Sequence, residues 1–246
     1  MIIEGNSVAE CWLRALQKIA TQKAGDELSP LMLSINMTDE QPQYQEALEK
    51  ELNAFLKSVG QPCIETTAST IFPVSLSGGK QSIYERYDRN WKYIKKDVRN
   101  RKGTYFRRFT SYGEKYHQGT NQLENIITTF NGTEGLRKPI RRRSALIATT
   151  FDPLLDHTPQ PLLGFPCLQQ VCFIPNGNET LSMNAIYAMQ HLSTRAYGNY
   201  LGLIRLGQFM AKEMNLEFVK LNAMISVLGL GRMTKGQAKQ FVGNYA

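Results

Sequence analysis

Cysteine and histidine are scarce in this chain. Four cysteines (Cys11, Cys63, Cys167, Cys172) and three histidines (His117, His157, His191) are scattered over 246 residues. No C-x-x-C pair and no ligand-like His/Cys spacing is present, so neither a metal site nor a disulfide framework is expected. No apolar run approaches the 18 residues of a membrane-spanning helix. No basic segment followed by an apolar stretch opens the chain, so no signal peptide is expected, and the reading is a reduced, cytoplasmic protein off the membrane. Acid is in short supply: Asp plus Glu number 21 against 29 Lys plus Arg, a net charge of +8. That surplus favours an anionic partner, a nucleotide or another anionic small molecule, with nucleic acid the less favoured choice.

What is there is ordinary for a globular chain: 42 % hydrophobic and 20 % charged residues. The length suits a single domain over residues 1–246 that builds its own core. Ser7 and Glu10 open a helix over 7–23 with Val8, Cys11, Trp12, Leu16 and Ile19 on one face. A second helix is expected from Pro42 to Val59, stopped by Gly60. Residues 70–79 read as extended, Lys80–Lys96 as a helix, and Asn121–Phe130 as another. Ser144–Phe151, Leu168–Ile174 and Leu181–Met189 read as strands, the last two joined by a turn at Pro175–Asn178. A long helix over Ser193–Met214 and a strand over Phe218–Leu228 complete an α+β pattern with a mixed sheet.

Chemistry concentrates at four places. Cys167 follows Pro166 at a loop–strand junction, where a thiol can be reached and activated by nearby cations, although burial as a structural cysteine is the more ordinary outcome. Arg137–Arg143 carries five cations in seven residues and suits a phosphate clamp or a solvated loop. Lys95–Arg108 interleaves seven cations with Tyr105 and Phe106; it suits either base stacking or a strand with one buried face. Glu85 would be a proton-transfer group if buried, or a partner of Arg89 if exposed.

Several segments resemble the folate-dependent thymidylate synthase superfamily, which includes the deoxycytidylate hydroxymethylases. They are Phe165-Pro166-Cys167-Leu168-Gln169-Gln170-Val171-Cys172-Phe173, the hairpin to Leu181-Ser182-Met183, and Ala196-Tyr197-Gly198-Asn199-Tyr200-Leu201-Gly202-Leu203. Ile71-Phe72-Pro73, Gly103-Thr104-Tyr105-Phe106, Asn121-Gln122-Leu123 and Arg142-Arg143 through Phe151-Asp152-Pro153 add to it. The resemblance spans about residues 70–228. It implies a three-layer α/β/α fold packed sheet to sheet in a homodimer, with methylenetetrahydrofolate as donor and no metal. A cysteine thiolate adds to C6 of a pyrimidine, and C5 then attacks the one-carbon unit. By this match Cys167 is the nucleophile, Asn199 the pyrimidine-binding amide and Glu85 the relay glutamate. Arg142 and Arg143, with Arg141 beside them, form the phosphate cluster lent across the dimer.

The chain departs from that pattern where the family has Arg-Ser-x-Asp. Here stand Ala188, Met189, Gln190 and His191, which makes Gln190 and His191 substrate-binding candidates. Leu228 and Leu230 stand where the family holds ribose with His and Tyr. The expectation is therefore a methyl- or hydroxymethyltransferase acting on a non-classical pyrimidine nucleotide or related heterocycle. The alternative is a catalytically reduced scaffold serving as a nucleotide-binding or regulatory subunit. A nucleophilic Cys167 is expected to have a thiol pKa below the free value of about 8.5.

Overall fold

The computed structural model describes residues 1–37, 42–78, 81–111, 120–157 and 166–245. In chain order it runs β1 (Ile2–Gly5), α1 (Val8–Thr21), β2 (Glu27–Leu28), β3 (Leu31–Asn36), α2 (Gln45–Ser58), α3 (Ile64–Ser69), α4 (Ile83–Ile94), α5 (Tyr105–Thr110) and α6 (Gln122–Asn131). It continues β4 (Ile147–Thr149), α7 (Pro153–Asp156), β5 (Leu168–Asn176), β6 (Thr180–Tyr187), β7 (Gln190–His191), α8 (Tyr197–Glu213), β8 (Glu217–Ile225), β9 (Leu228–Gly229) and α9 (Lys235–Gly243). The fold is α+β. A six-stranded mixed sheet has the order β1-β3-β8-β6-β5-β4, and β2-β9-β7 form a small second sheet.

Local chemistry sets the helix starts. Ser7 Oγ accepts the Glu10 N–H at 3.1 Å, and Glu10 reaches back one residue further than a capping box, to the Asn6 N–H. Gln45 begins α2 because its N–H closes a turn onto the Pro42 carbonyl. The segment expected to be extended after residue 70 is instead coiled. Ile71 and Phe72 donate to the Ala68 carbonyl, and Val74–Leu76 form a 3₁₀ turn after Pro73. The strand alternative for Lys95–Arg108 also gives way. Thr104 caps α5, and Phe106 and Phe109, three apart, bury together as a helix requires. The expected strand over Ser144–Phe151 shrinks to β4, because Arg143–Ala145 turn as 3₁₀. The start expected for α4 at Lys80 lies outside the described residues, as does Phe165 of the segment quoted around Cys167.

The sheet has two unlike faces. The pairing aligns Leu33, Ala223, Ala185, Val171 and Ala148 in one row and Ile35, Leu221, Met183 and Phe173 in the next; all are buried. Helices α1 and α8 pack against this side. The opposite face presents Met32, Met224 and Ile186 in one row and Ser34, Asn222, Asn184, Cys172 and Ile147 in another. A ladder of side-chain bonds, Ser34 to Asn222 to Asn184, each 2.9 Å, crosses it. Met32, Met224 and Ile147 stay exposed there.

Helix α8 is held unusually close to α3. A Cβ on Gly198 or Gly202 would stand 2.7 Å from the Ile64 carbonyl oxygen or 2.6 Å from that of Ala68. Before α8, Leu192–Ala196 make a π-helical turn, where a plain helix start at Ser193 is the expectation. Trp12 Nε1 donates to the Leu192 carbonyl at 2.9 Å and ties this turn to α1.

Candidate active site around Cys167

Cys167 sits just ahead of β5, half-buried. Its carbonyl accepts the Ala188 N–H at 2.9 Å, so the end of β6 fixes its backbone. Asn199 lies in the first turn of α8 and is only 4 % exposed. Gln190 and His191 are β7, held in register by the parallel pairing with β9. Four sequence candidates far apart along the chain, Cys167, Asn199, Gln190 and His191, line one cavity of about 320 Å³.

The other candidates lie elsewhere. Glu85 is exposed and lines a separate, wider cavity with Tyr84 and Arg205. Ser82 caps α4 through the Glu85 N–H, and the helix buries Ile83 and Tyr87, which turns Glu85 outward. A buried relay glutamate at this position is therefore corrected to a surface residue; Arg89 bonds Gln81 instead of it. Arg141, Arg142 and Arg143 are exposed and do not line the Cys167 cavity of their own chain. The Arg141 guanidinium lies 3.7 Å over the Phe130 ring, and Arg143 donates to the Pro175 carbonyl at 3.4 Å. Leu228 and Leu230 are core residues, 0 % and 2 % exposed, and offer a ligand nothing.

Thr67 and Thr70 at α3, and Arg195 from the π turn, also line the cavity and escaped the sequence reading as site candidates; Arg99, within the Lys95–Arg108 stretch, reaches it from a 3₁₀ turn after α4. A signal for Arg195 was present: His191, Arg195 and Asn199 are spaced four apart. Arg195 has no carboxylate within salt-bridge distance among the described residues. Among the described residues it donates to Gln61 Oε1 at 3.5 Å. Burial, then the charge of Arg99, pushes its pKa down. Arg99 pairs with Asp97 at 2.6 Å. Arg108 also borders the cavity but is held two-pronged by Asp156 at 2.7 and 2.8 Å.

The thiol is controlled by opposing effects. Burial pushes the Cys167 pKa up, and the Arg195 charge pulls it back only in part. The expected depressed value is thus overturned, because desolvation of the thiolate outweighs the single nearby cation. Tyr105 accepts the Leu168 N–H at 3.4 Å beside the thiol, and burial followed by the Cys167 charge pushes its phenol up to about 12. Gln190 Oε1 accepts the Tyr200 O–H at 2.6 Å, which leaves Gln190 Nε2 buried without a partner. Thr67 Oγ1 is likewise buried and unpaired. Chemically this is a soft nucleophile with a guanidinium that no carboxylate neutralises and an amide around one cavity, with two unsatisfied polar atoms buried in its walls.

A second cavity of about 350 Å³ shares Thr70, Arg99, Asn100, Thr104 and Arg195 with the first; Pro73, Leu76, Tyr87, Ile94 and Asp97 are among the residues it adds. Among the described residues no group of three or more His, Cys, Asp or Glu is placed to hold a metal. No described helix is long and apolar enough to cross a membrane. No protein-family model matches the chain, and no curated protein matches its sequence.

Proposed function

We propose that the protein is a thymidylate synthase-like one-carbon transferase that methylates or hydroxymethylates C5 of a pyrimidine nucleotide or related heterocycle. The carrying observation is the convergence of Cys167, Asn199, Gln190 and His191 on one cavity. In this reading Cys167 Sγ bonds C6 of the ring and loses its proton. The electron pair of the ring double bond moves to C5, which then bonds the one-carbon unit. Asn199 both donates and accepts, as an imide edge requires. Arg195 offsets the charge of the thiolate as it forms. The apolar walls Pro73, Leu76, Tyr87 and Ile94 beside Arg99 suit a flat, polar-edged ring in the adjoining cavity. Methylenetetrahydrofolate held there would supply the one-carbon unit, its carbon–nitrogen bond breaking as C5 takes the carbon; C5 would then lose its proton to water and Cys167 Sγ would leave C6 as the ring double bond re-forms, with the folate's hydride completing a methyl group or a water a hydroxymethyl group.

The uncovered sheet face fits the sheet-to-sheet homodimer that the reading carries with it. Its Met32, Met224, Ile186 and Ile147 offer apolar area around a polar ladder. Burial of more than about 2,000 Å² is expected for such an obligate dimer, and a monomer by light scattering at micromolar concentration would sink it.

The raised Cys167 pKa favours a second reading, a nucleotide-binding subunit that keeps the scaffold without turnover. Incubation with pyrimidine nucleoside monophosphates and methylenetetrahydrofolate separates the two. The enzyme reading expects a one-carbon product that Cys167→Ser abolishes and Cys63→Ser leaves intact. Cys63 is the right control because it is exposed and caps α3 through the Thr66 N–H, a task serine also performs. Nucleotide binding of equal strength in wild type and Cys167→Ser, with no product from either, establishes the binding subunit instead.

A further inference from the structure

The positive charge of the chain is concentrated in one place. Residues 86–108 hold ten Lys and Arg against two Asp, a surplus of eight that equals that of the whole chain. Outside this segment acids and bases balance. Within it three arginines are already committed: Arg99 to Asp97, Arg107 to Asp88 and Arg108 to Asp156. Arg89, Lys92, Lys95, Lys96 and Arg101 are exposed, and none of them has a carboxylate within ion-pair distance among the described residues.

The helix explains their placement. α4 buries Ile83 and Tyr87, so its opposite side presents Arg89 and Lys92, and Lys96 just past its end continues the line at i, i+3 and i+7. Cations stabilise a helix C-terminus, which accounts for those of the last turn but not for Arg89 or Arg101. The turn Val98–Asn100 is tied back to the helix, since Asn100 Nδ2 donates to the Ile94 carbonyl at 3.2 Å. Two apolar side chains stand among the cations. Tyr93 is 58 % exposed, with the Lys92 and Lys96 ammonium groups 5.0 and 5.5 Å from its ring centre, and Val98 is 65 % exposed.

Charge alone suits any polyanion; shape and the apolar groups choose among them. None of these seven residues lines a cavity described above, so the surface is not a groove. A nucleic-acid strand is tracked along a groove, with its bases on open ring faces, whereas Tyr93 is already covered by lysine. A phosphate backbone also leaves Val98 in water. An anionic leaflet offers charge at its surface and hydrocarbon just beneath, a boundary that suits tyrosine and the long stems of lysine.

We propose that the outer face of α4 and the turn after it form a docking surface for an anionic phospholipid membrane, with the five cations on the headgroups and Tyr93 and Val98 at the depth of the first acyl carbons. The chain lies on the leaflet and does not cross it, and no described helix is long and apolar enough to do so. This departs from the expectation of a protein off the membrane, which rested on apolar runs that such a surface does not need. It is independent of the chemistry at Cys167.

The test is co-sedimentation of the full chain with large vesicles of phosphatidylcholine, alone or with about 30 % phosphatidylserine. Binding to the mixed vesicles only is expected, weakening steeply between about 0.1 and 1 M salt. Each cation at such a surface contributes about fivefold, so Lys92→Gln/Lys96→Gln should weaken binding at least about tenfold. Tyr93→Ser/Val98→Ser should weaken it about tenfold as well, through the lost apolar area. All four side chains are exposed or half out of the core, and circular dichroism checks that both variants keep the fold. Arg142→Gln/Arg143→Gln, on the other basic loop, should bind as the wild type does. No binding to the mixed vesicles, or equal binding to the neutral ones, overturns the proposal. So does undiminished binding by Tyr93→Ser/Val98→Ser, because charge alone would then hold the chain. Loss of binding in the Arg142/Arg143 variant with the Lys92/Lys96 variant unaffected overturns it too. Capture of a single-stranded RNA oligonucleotide, without vesicle binding, by the wild type but not by Lys92→Gln/Lys96→Gln assigns the surface to nucleic acid instead.

Discussion

Arg108 shows how a cation in a cavity wall can be committed before any ligand arrives. Its guanidinium is 13 % exposed, and Asp156 beneath it is 2 % exposed. The pair also satisfies backbone: Arg108 donates to the Thr150 and Lys102 carbonyls, and Asp156 accepts the Asp152 N–H. This ties the 102–108 segment to the 150–156 segment across the cavity rim. Removing one partner leaves the other buried and unpaired, which costs about 3–5 kcal/mol. Asp156→Leu should therefore lower the urea midpoint strongly, whereas Arg142→Leu, on the exposed loop, should change the unfolding free energy by less than about 0.5 kcal/mol and leave the midpoint nearly unmoved. Equal midpoints for the two variants would contradict the assignment. Residue type and spacing alone did not separate Arg108 from Arg195, since both are arginines in or near basic or helical stretches. What separates them is whether an acid reaches each one, and Asp156 lies 48 positions away. Long-range pairing of this kind is invisible to periodicity, whereas the fourfold spacing of His191, Arg195 and Asn199 was open to view.

At the scale of elements, the long amphipathic helices and the β5–β6 hairpin were legible because each carries its own period and its own stop. The turn glycine Gly177, at φ +67°, marks the hairpin tip. The N-terminal strands were not legible. β1 has four residues and β3 six, too short to show a period, and their partners are each other and β8 from the far end of the chain. The closeness of α3 and α8 was also hidden, although Gly198 and Gly202 advertise it once the partner is known. A methyl at Gly202 would stand 2.6 Å from a backbone oxygen that cannot rotate away. Gly202→Ala gains up to about 1 kcal/mol of helix propensity, but forced separation of two packed helices costs about 1–3 kcal/mol, so the clash wins. Gly243→Ala at the end of α9 meets nothing within 4 Å and should be neutral or stabilising. Thermal unfolding of the two variants checks this. Because α3 carries Thr67 and Thr70 into the Cys167 cavity, Gly202→Ala should also weaken any ligand that shields Cys167 from alkylation.

For the whole molecule, the core is rich in acids that stay neutral. Burial pushes Cys11, Tyr87 and Tyr105 up to about 12, and it pushes Tyr187, Tyr197 and Tyr200 up as well. In the unfolded chain a tyrosine ionises near 10 and a cysteine near 8.5. Folded values above unfolded ones mean that the native state holds more protons as pH rises through that window. Stability then falls with pH, and a group neutral in the native state and ionised in the unfolded one contributes a slope of about 1.4 kcal/mol per pH unit. Below pH 8 these groups are protonated in both states and contribute nothing. Half a dozen such groups acting together reach the 5–15 kcal/mol that a domain typically has to lose, about one to two pH units above the tyrosine reference. The expected outcome is a native state indifferent to pH between about 7 and 8 as far as these groups are concerned, a slight loss from Cys11 above that, and steep, cooperative unfolding between about 10 and 12. Phenolate absorbance and far-UV circular dichroism recorded on the same samples decide it. The buried phenols should ionise in one step that coincides with the loss of secondary structure. Gradual ionisation of all tyrosines with the dichroism intact would show that water reaches the core beneath α1 and α8, and the burial argument for the Cys167 thiol would fall with it.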